Sequence, residues 1–522
     1  MLITAYPNAP MTFLDPFYAL FLLALTLLYW WPRPRAARIR LWLVLLASLV
    51  VYTSLQVQYL PLLLLLTGLN FWIGKGMAIK SRPEVQSDQA HLSNEAWEAM
   101  QTLWSQRATQ LLILGIVLNV ACLFGFKYLL LVLNGVVAIA PSPAVEVGRS
   151  WLQNHILVPL GISFFTFENL AYLIDVYRGA PASRDFLDFA SYKFFFPKLI
   201  SGPITRYHPF ITQFNDQTRT PKLEHFTEGL WLFAAGAVKK ALIADPLGMF
   251  VDLCLGNLER AGSVDLWLVV LAYGLQLYFD FSGYVDMARG SAMFLGFTLP
   301  DNFNFPYFTT SIAQFWRRWH ITLGDWLRNY LYFPLGGSRR GLVRTCINLW
   351  LILFIAGIWH IDTRGTAWGF LVWGGLHGVA LVVHRLGDRY SQTHARWGQW
   401  WESVPGMVTA WVVTQGFVFL AWIFFRLPDL RQSGLMVRHL FGVAGDIQFT
   451  QKVYFEALGL GRFDLLWWMM VLVVVMALTY LVQGGLKLQL NWHLKLVLVP
   501  LCFFAVWMLA PEGGTRYIYF DF

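Results

Sequence analysis

Long apolar runs separated by short polar segments dominate the chain. Residues 41–74, 403–425 and 465–486 carry no charged side chain, and about 20 apolar residues suffice to cross a hydrocarbon core of about 30 Å. The run 41–74 is too long for one crossing, and Pro61 near its middle predicts a hairpin of two short helices. The pattern therefore predicts several membrane-spanning helices.

Further apolar runs occur through the rest of the chain. They lie near residues 12–31, 108–126, 128–145, 151–176, 228–250, 265–281, 345–361, 365–384 and 495–511. Together the runs predict about ten to thirteen crossings or re-entrant segments. We expect an all-α, polytopic integral membrane protein embedded in a lipid bilayer.

Composition agrees with this fold class. The chain is 57% hydrophobic and 13% charged, whereas about a quarter of the residues in a soluble domain are charged. The four cysteines, at positions 122, 254, 346 and 502, form no closely spaced pair, which indicates neither a disulfide framework nor a zinc site. The formal net charge of +9 is explained mostly by membrane topology, and we expect no nucleic-acid partner.

The first charged residues suggest an orientation. Asp15 is the first charge and Arg33 the first arginine, so the chain shows no basic region of a signal peptide and the first helix is expected to be retained. Arginines at positions 33, 35, 38 and 40 crowd the predicted loop after that helix. The positive-inside rule places this loop in the cytoplasm and the N-terminus in the periplasm.

The polar segment 75–107 is predicted to return to the cytoplasm. Trp97, Met100 and Trp104 recur within it at helical spacing. Aromatic and apolar residues on one face of a polar helix favour a position in the membrane interface. The sequence therefore predicts an interfacial helix here.

Polar residues concentrate in the middle of the chain, between about 155 and 390. Its glycine-rich and proline-rich segments predict backbone that leaves helical geometry, which is tolerated at membrane depth only where it is buried in protein or lines a cavity. We expect a single membrane domain, 1–522, with a cavity or tunnel in its core. Its predicted parts are N-terminal helices (1–150), a catalytic core (151–390) and C-terminal helices (391–522).

The first three polar clusters of this core have simple structural interpretations. Residues 159–168 lead into Asp175 and Arg178, which are spaced as a helix-surface pair. Segment 196–207 has two prolines and a glycine and is predicted to be broken or re-entrant. Lys239 and Lys240 with Asp245 are typical of a cytoplasmic helix end.

The fourth cluster contains Gln276, Asp280 and Tyr284. Their spacing of four residues puts them on one face of a helix, where they can form a ladder of hydrogen bonds. Both a structural brace for the cavity and a part in catalysis remain open.

The fifth cluster, 314–337, is a cationic insert with His320 near its start. A charged residue beside an apolar run is costly and points to function. Because Arg317 precedes His320 by three residues, a nearby cation is expected to disfavour the imidazolium and keep His320 neutral.

His360 ends an apolar run, and His377 lies in the next one. A single buried histidine is more often a core residue, but Trp319-His320 and Trp359-His360 are two Trp-His pairs beside the same polar insert. This arrangement predicts that the two pairs meet at one site. No aspartate or glutamate accompanies the histidines at ligand spacing, so no metal site is expected.

These residues resemble the membrane-bound O-acyltransferase family, in particular its bacterial branch that includes alginate O-acetyltransferase. The resemblance covers most of the chain. Its strongest blocks are residues 161–168, 173–179, 276–284, 301–307, 315–323 and 326–337, and residues 517–522 resemble the carboxyl terminus of the alginate enzymes.

The resemblance implies a helical bundle around a central tunnel, with His320 and His360 as the two histidines of the catalytic site. We expect His360 to be the principal base or acyl-handling residue and His320 its partner. The cytoplasmic mouth that meets the phosphates of coenzyme A is expected to contain Arg317, Arg318, Arg339 and Arg340. Supporting residues are expected to be Gln276, Asp280, Tyr284, Asn304, Trp316 and Trp319.

Two departures from the family pattern lie beside the second histidine. Ile361 stands where the family usually has glycine, and the separation between His360 and His377 is longer than in the alginate enzymes. The departures put the role of this loop, or the substrate, in question.

The implied function is transfer of acetyl from cytoplasmic acetyl-CoA across the inner membrane to an exopolysaccharide such as alginate. Acetyl-CoA is expected as a substrate, with no tightly bound cofactor and with a periplasmic acetyl-relay protein as partner. The alternatives are another envelope acceptor, namely cellulose, peptidoglycan or teichoic acid receiving D-alanine, or a non-enzymatic transporter.

Overall fold

The computed structural model describes residues 12–31, 37–78, 94–155, 157–215, 220–361, 367–511 and 514–520. The helices of its first half are α1 (Pro16–Trp30), α2 (Ala37–Gln56), α3 (Leu60–Met77), α4 (Asn94–Leu123), α5 (Leu129–Ile139), α6 (Pro143–His155), α7 (Ile162–Tyr177), α8 (Phe186–Phe194), α9 (Tyr207–Asn215), α10 (Leu223–Val238) and α11 (Asp245–Leu255).

The second half continues with α12 (Ser263–Phe294), α13 (Ile312–Arg318), α14 (Ile321–Leu327), α15 (Gly341–His360), α16 (Trp368–Thr393), α17 (Ala395–Glu402), α18 (Val404–Arg426), α19 (Leu430–His439), α20 (Ile447–Thr450), α21 (Arg462–Tyr480) and α22 (Trp492–Leu509). Segments of π-helix lie at Phe124–Tyr128, Lys239–Ala244, Arg328–Tyr332, Gln451–Leu458 and Leu481–Gly485, and 3-10 turns lie at Val57–Tyr59 and Ile518–Phe520.

Within the described ranges, eight helical stretches are long and apolar enough to cross a membrane. They are Arg38–Met77, Glu98–Ile139, Ser263–Phe294, Gly341–His360, Trp368–Thr393, Val404–Arg426, Arg462–Gly485 and Trp492–Leu509. The predicted all-α, multi-pass membrane fold is confirmed. The number of crossings stays a prediction, because the first two stretches have 40 and 42 residues, about twice what one crossing needs.

The first of these long stretches consists of two helices, as its sequence predicts. The break lies at Gln56, which has non-helical backbone angles of φ −152° and ψ 74°. Pro61 lies in the first turn of α3, where its missing N–H costs no helical hydrogen bond. The proline therefore marks the start of the second helix rather than the break itself.

The predicted helix through Trp97, Met100 and Trp104 is confirmed but is not a separate element, and its position in the membrane interface stays a prediction. Residues 94–107 form the first part of α4, which continues to Leu123. The sequence from 94 to 114 has no glycine or proline that could end the helix. Residues 79–93, and with them Lys80 and Arg82, lie outside the described residues.

Two of the four arginines that follow α1 lie in the described part of the chain, and two do not. Arg33 and Arg35 lie outside the described residues, whereas Arg38 and Arg40 belong to the first turn of α2 rather than to a loop. Arg40 is buried, with its guanidinium 5.4 Å from the ring centroid of Tyr29 and 5.2 Å from that of Trp30. Stacking on aromatic faces stabilises this buried cation.

The run 151–176, predicted as one apolar segment, is divided between α6 and α7. Pro159 and Gly161 explain the break, because Gly161 has φ +75° and a Cβ there would lie 2.6 Å from the carbonyl oxygen of Leu199. The predicted break in 196–207 is confirmed, since turns and irregular backbone separate α8 from α9.

Lys239, Lys240 and Asp245 were predicted at a helix end, and this is wrong, because the π-helical segment Lys239–Ala244 continues directly from α10 into α11. Lys240 is buried in the π-helical segment before α11 and forms ion pairs with Asp245 and Asp280. Carboxylates on two different helices supply the compensating charge. Lys239 beside it pairs with Asp286 at 2.6 Å and is partly exposed.

The chain forms two compact units. One comprises Met1–Leu230 with Ala288–Pro300, and the other comprises Trp231–Met287 with Asp301–Phe522. The candidate site described below lies entirely in the second unit. The subdivision at 150 and 390 stays a prediction.

Candidate active site

His320 lies in a short connection between α13 and α14. Trp319 ends α13 with extended backbone, and His320 follows in the left-handed conformation, with φ 44° and ψ 56°. A non-glycine residue in this region is uncommon and is often found at functional sites. The turn directs the chain into α14 and places the His320 side chain in the interior, where it is 1% exposed.

Asn302 fixes the position of the His320 ring. Its side-chain oxygen accepts hydrogen bonds from the N–H and the hydroxyl of Thr322, at 3.0 and 2.7 Å. The same oxygen is 3.3 Å from Nδ1 of His320. Because this oxygen can only accept, we assign the proton to Nδ1, which makes Nε2 the basic nitrogen of the neutral ring.

Burial keeps His320 neutral. Removal from water lowers the pKa of His320 to about 3. The sequence predicted a neutral ring because of Arg317, but Arg317 is exposed and the cause is desolvation. A neutral imidazole at physiological pH can accept a proton from a substrate.

His360 is the last residue of α15 and is 3% exposed. Its ring centroid lies 4.5 Å from that of Trp359, 5.3 Å from that of Trp373 and 4.9 Å from that of Phe425. Helix α15 packs closely against α16, because a Cβ on Gly357 would lie 2.5 Å from the carbonyl oxygen of Phe370. This close packing holds the Trp-His end of α15 against the aromatic residues of α16 and α18.

The two histidines line the same cavity, as the sequence predicts. Its volume is about 20 Å³, which is room for about one water molecule. Tyr519 lies beside both imidazoles, with ring centroids 5.9 Å from His320 and 6.1 Å from His360. The lining residues are mostly aromatic or apolar: Trp316, Trp319, Leu323, Gly324, Leu327, Ala356, Trp373, Trp422, Phe425 and Tyr519, with the two histidines.

Of the predicted supporting residues, the structure brings Trp316 and Trp319 to the cavity. Asn304 does not line it: this residue is exposed, and its backbone N–H donates to the carbonyl oxygen of Arg318 at 3.0 Å. Asn302, two residues earlier, makes the contact with His320. Sequence alone could not separate the two asparagines, because both belong to the 301–307 block.

Two of the three residues predicted to form a ladder along α12 contact residues outside this helix. Asp280 accepts hydrogen bonds from Lys240, at 2.7 Å, and from the backbone N–H of Ile518, at 2.9 Å. The ring of Tyr284 contacts that of Tyr517, with centroids 5.0 Å apart. Asp280 and Tyr284 therefore contact the 514–520 segment, and the hydrogen-bond ladder itself stays a prediction.

The four predicted cofactor-binding arginines lie at or near the surface. Arg317, Arg339 and Arg340 are exposed, and Arg318 is partly buried, with its guanidinium 5.9 Å from the ring centroid of Tyr480. Their role toward coenzyme A stays a prediction. Within the described ranges no group of three His, Cys, Asp or Glu residues has the arrangement of a metal site.

Ile361 follows His360 and is buried in ordinary backbone, with φ −52° and ψ 126°. An L residue adopts these angles without strain, so the departure from glycine is accommodated. Most of the lengthened connection lies at 362–366, outside the described residues. His377, in α16, is fully buried and its ring centroid is 5.2 Å from that of Trp316, but it does not line the cavity.

Tyr519, Trp422 and Phe425 are cavity residues that sequence reasoning did not assign. Tyr519 lies within the 517–522 block that resembles the alginate enzymes, which was a usable signal. Trp422 and Phe425 lie in the uncharged run 403–425, where nothing in the local pattern separates a cavity residue from a residue that packs in the core.

Comparison with known proteins identifies the family. The model of MBOAT, the membrane-bound O-acyltransferase family, matches residues 136–414. The chain belongs to this family. The match includes both histidines and the helices that carry them.

Curated relatives agree with this membership. The chain is 37% identical to the probable alginate O-acetylase AlgI of Pseudomonas aeruginosa over 408 residues, which cover 77% of the chain and 70% of that protein. It is 36% identical to the peptidoglycan O-acetyltransferase of Helicobacter pylori over 432 residues, covering 78% and 74%. Identity to the teichoic acid D-alanyltransferase of Bacillus subtilis is 25% over 273 residues, covering 49% and 67%.

This MBOAT protein is an enzyme, an O-acyltransferase. The predicted family and enzyme class are therefore confirmed, and the transporter alternative loses its support. The roles of individual residues rest on the geometry above.

Proposed function

We propose that this MBOAT protein transfers acetyl from cytoplasmic acetyl-CoA across the inner membrane for O-acetylation of an exopolysaccharide such as alginate. The observation that carries this proposal is the pair of buried histidines on one cavity. The names of the relatives support an envelope polymer as the acceptor, because they describe acyl transfer to alginate, peptidoglycan and teichoic acid.

The proposed chemistry is base-assisted attack on a thioester. One imidazole takes the proton of the acceptor hydroxyl while its oxygen attacks the acetyl carbonyl carbon. A C–O bond forms, the C–S bond breaks, and the coenzyme A thiolate leaves and recovers the proton. We assign proton removal to His360 and a supporting role to His320, which can hydrogen-bond the developing oxyanion or hold the acceptor.

The walls of the cavity suit this chemistry. Trp316, Trp319, Trp373 and Phe425 exclude bulk water, which strengthens every electrostatic interaction within the cavity. Exclusion of water also protects the thioester from hydrolysis. The acceptor hydroxyl then competes with few water molecules for the acetyl group.

The donor is proposed to enter from the cytoplasmic side, where arginines meet its phosphates. Arg317, Arg339 and Arg340 are exposed and free to swing toward a ligand on long side chains. Arginine suits phosphate because its planar guanidinium can bind two oxygens at once. No tightly bound cofactor is part of this proposal.

A periplasmic relay protein is the proposed partner, which would carry acetyl onward to the polymer. A purified enzyme that acetylates polymer from acetyl-CoA alone would contradict the relay. The acceptor can be identified by offering candidate polymers to membranes that contain the protein, together with an acetyl or D-alanyl donor. The polymers to compare with the exopolysaccharide are cellulose, peptidoglycan and teichoic acid.

The central test is His360→Ala, assayed as release of coenzyme A and as labelled acetyl on the acceptor. We expect turnover to fall by about 10²–10⁴-fold. His394→Ala is the matched control, because His394 is exposed and lies at the end of α16, outside the cavity. A folded, membrane-inserted His360→Ala protein with wild-type turnover would show that the assignment is wrong.

A further inference from the structure

One wall of the histidine cavity comes from a segment that forms no long helix. Residues 514–517 have irregular backbone and lead into the 3-10 turn Ile518–Phe520. Tyr519 of this segment lies beside both imidazoles, and its ring stacks on Phe281 with centroids 3.8 Å apart. The placement of Tyr519 therefore decides the shape of the cavity.

A buried ionic cluster lies behind this segment. Lys240 Nζ is 2.8 Å from Oδ1 of Asp245 and 2.7 Å from Oδ1 of Asp280. The three side chains, which we call the Lys240 cluster, are only 2–3% exposed. They come from the π-helical segment after α10, from α11 and from α12, so the cluster joins three helical elements.

Every member of the Lys240 cluster contacts the 514–520 segment. Lys240 Nζ donates to the hydroxyl of Thr515 and to the carbonyl oxygen of Arg516, both at 3.3 Å. The hydroxyl of Thr515 donates to Oδ1 of Asp245 at 2.5 Å. The backbone N–H of Ile518 donates to Oδ2 of Asp280 at 2.9 Å.

The charges of the Lys240 cluster explain why its carboxylates need the hydrogen-bond donors of the 514–520 segment. One ammonium faces two carboxylates, so Lys240 alone does not balance Asp245 and Asp280. The N–H of Ile518 and the hydroxyl of Thr515 supply further donors to these buried oxygens. Buried carboxylate oxygens without donors are strongly disfavoured, which gives the segment a fixed position on the cluster.

We propose that Lys240, Asp245 and Asp280 are positioning residues for acyl transfer. They hold residues 515–518 so that the neighbouring Tyr519 ring keeps its place beside His320 and His360. This inference rests on the proposed function of the cavity, since it gives the cluster a part in that reaction. None of the three residues touches the reacting atoms.

Two variants separate positioning from general stability. Lys240→Met combined with Asp245→Asn and Asp280→Asn removes all three charges together, so that no unpaired charge is left buried. Thr515→Val removes one hydroxyl and keeps the charges in place, and therefore carries the test even where the triple variant does not accumulate in the membrane. Lys239→Met is the matched control, because Lys239 is the adjacent lysine and pairs with Asp286 instead.

The first readout is hydrogen–deuterium exchange of the full-length protein in lipid nanodiscs. We expect exchange in 514–520 to rise by about tenfold or more in the triple variant, and less in Thr515→Val, while exchange in α15 stays unchanged. Lys239→Met should leave 514–520 as in the wild type. Unchanged exchange in Thr515→Val, or in the triple variant where it accumulates, would overturn the proposal.

The second readout is the division of the kinetic effect between kcat and KM. A displaced cavity wall should lower kcat by about tenfold or more, because small misplacements at a reacting centre cost up to about 10²-fold, while KM for the donor stays unchanged. Faster exchange with wild-type kcat would overturn the positioning role.

The two proposals fail in different ways. If His360→Ala retains wild-type turnover, the proposed function is wrong, whatever the exchange data show. If His360→Ala is inactive but release of the 514–520 segment leaves kcat unchanged, the function stands and the positioning role is wrong.

Discussion

The second unit's histidine cavity and a polar cluster of the first unit are both buried, yet they differ in how their polar groups are satisfied. In the first unit, Glu168 accepts from Lys198 at 2.5 Å and from Lys193 at 3.4 Å. The same carboxylate accepts from the backbone N–H and the hydroxyl of Thr205, at 3.3 and 3.0 Å. These four residues, the Glu168 cluster, tie α7 to the broken segment after α8.

The histidine cavity has the opposite character. Its titratable side chains, His320, His360 and Tyr519, contact mostly aromatic rings. Burial keeps His320 neutral by lowering its pKa, and raises the pKa of Tyr519 well above its usual value. There is room for about one water molecule beside them.

This difference distinguishes a structural cluster from a site that can carry out a reaction. A carboxylate that accepts hydrogen bonds from two lysines and a threonine has all its partners within the cluster. Protonation of this carboxylate would remove the negative charge on which the ion pairs depend. A neutral imidazole at a cavity can take up or release a proton without losing an ion pair. We therefore interpret the Glu168 cluster as a structural brace and the histidine cavity as the reacting site.

Replacing Glu168 with glutamine should produce the largest loss of stability. The change leaves Lys193 and Lys198 buried without a negative partner, and breaking a buried ion pair in this way costs about 3–5 kcal/mol. We expect a strongly lowered thermal midpoint in detergent. Activity per folded molecule should be close to that of the wild type.

Glu146→Gln provides the control for that experiment. Glu146 pairs with Arg149 at 3.6 Å near the surface, where such pairs contribute about 0–1 kcal/mol. Equal effects of the two substitutions, or a Glu168→Gln protein that is stable but inactive, would contradict the interpretation of the cluster as a brace.

The lowered pKa of His320 should be visible in the pH dependence of the protein's stability. Its folded-state pKa of about 3 lies below the usual value of 6.5, so between these values the unfolded chain binds a proton that the folded protein does not. The contribution of neutral His320 to the free energy of unfolding is complete above pH 6.5 and is lost as pH falls toward 3. The loss approaches about 1.4 kcal/mol per pH unit.

His320→Asn isolates this effect. Asparagine tolerates the left-handed conformation of position 320 and does not titrate. Thermal midpoints measured from pH 7 to pH 5 should therefore fall more steeply for the wild type than for the variant. Parallel curves would show that His320 is protonated in the folded protein.

The two lysines of the Glu168 cluster should not be equivalent. Burial lowers the pKa of both lysines, but Lys193 lies farther from Glu168, at 3.4 Å, than Lys198, at 2.5 Å. Lys193→Met leaves a one-to-one ion pair and should cost about 1 kcal/mol, less than Lys198→Met, which removes the shorter contact. Chemical denaturation of both variants checks this order, and the reverse order would contradict it.

Arg339→Gln should have the smallest effect. Because Arg339 is proposed to meet a phosphate of acetyl-CoA, its loss should raise KM for this donor by about twofold to tenfold at low salt, with kcat unchanged. The effect should shrink as salt rises. Arg438→Gln is a suitable control, since Arg438 is an exposed arginine of α19 outside the predicted mouth. A changed kcat would place Arg339 at the chemistry rather than at donor binding.

Hydropathy and motif spacing predicted a large part of this molecule. Uncharged runs such as 403–425 became spanning helices because a bilayer leaves few alternatives for them. The Trp-His repeat predicted that His320 and His360 share a site, and the structure places both on one cavity.

Other features depend on partners far away in sequence. The burial of Lys240 depends on Asp280, 40 residues later, and on contacts at Thr515 and Arg516. Its local sequence showed none of these partners and was typical of a helix end. Asn302 could not be separated from Asn304, since only the turn at His320 decides which of them contacts the ring. Helix α4 was divided wrongly because its polar first turns differ in composition from its apolar remainder, although the backbone is continuous.

The most direct test of the account is a cryo-EM structure of the full-length protein with a non-hydrolysable acetyl-CoA analogue. We expect the carbonyl carbon of the analogue within the histidine cavity, close enough to His360 for a hydroxyl activated by that residue to attack at about 3–3.5 Å. The phosphates should lie against some of the four arginines, 317, 318, 339 and 340. A thioester bound outside the cavity, away from both His320 and His360, would contradict the two-histidine site.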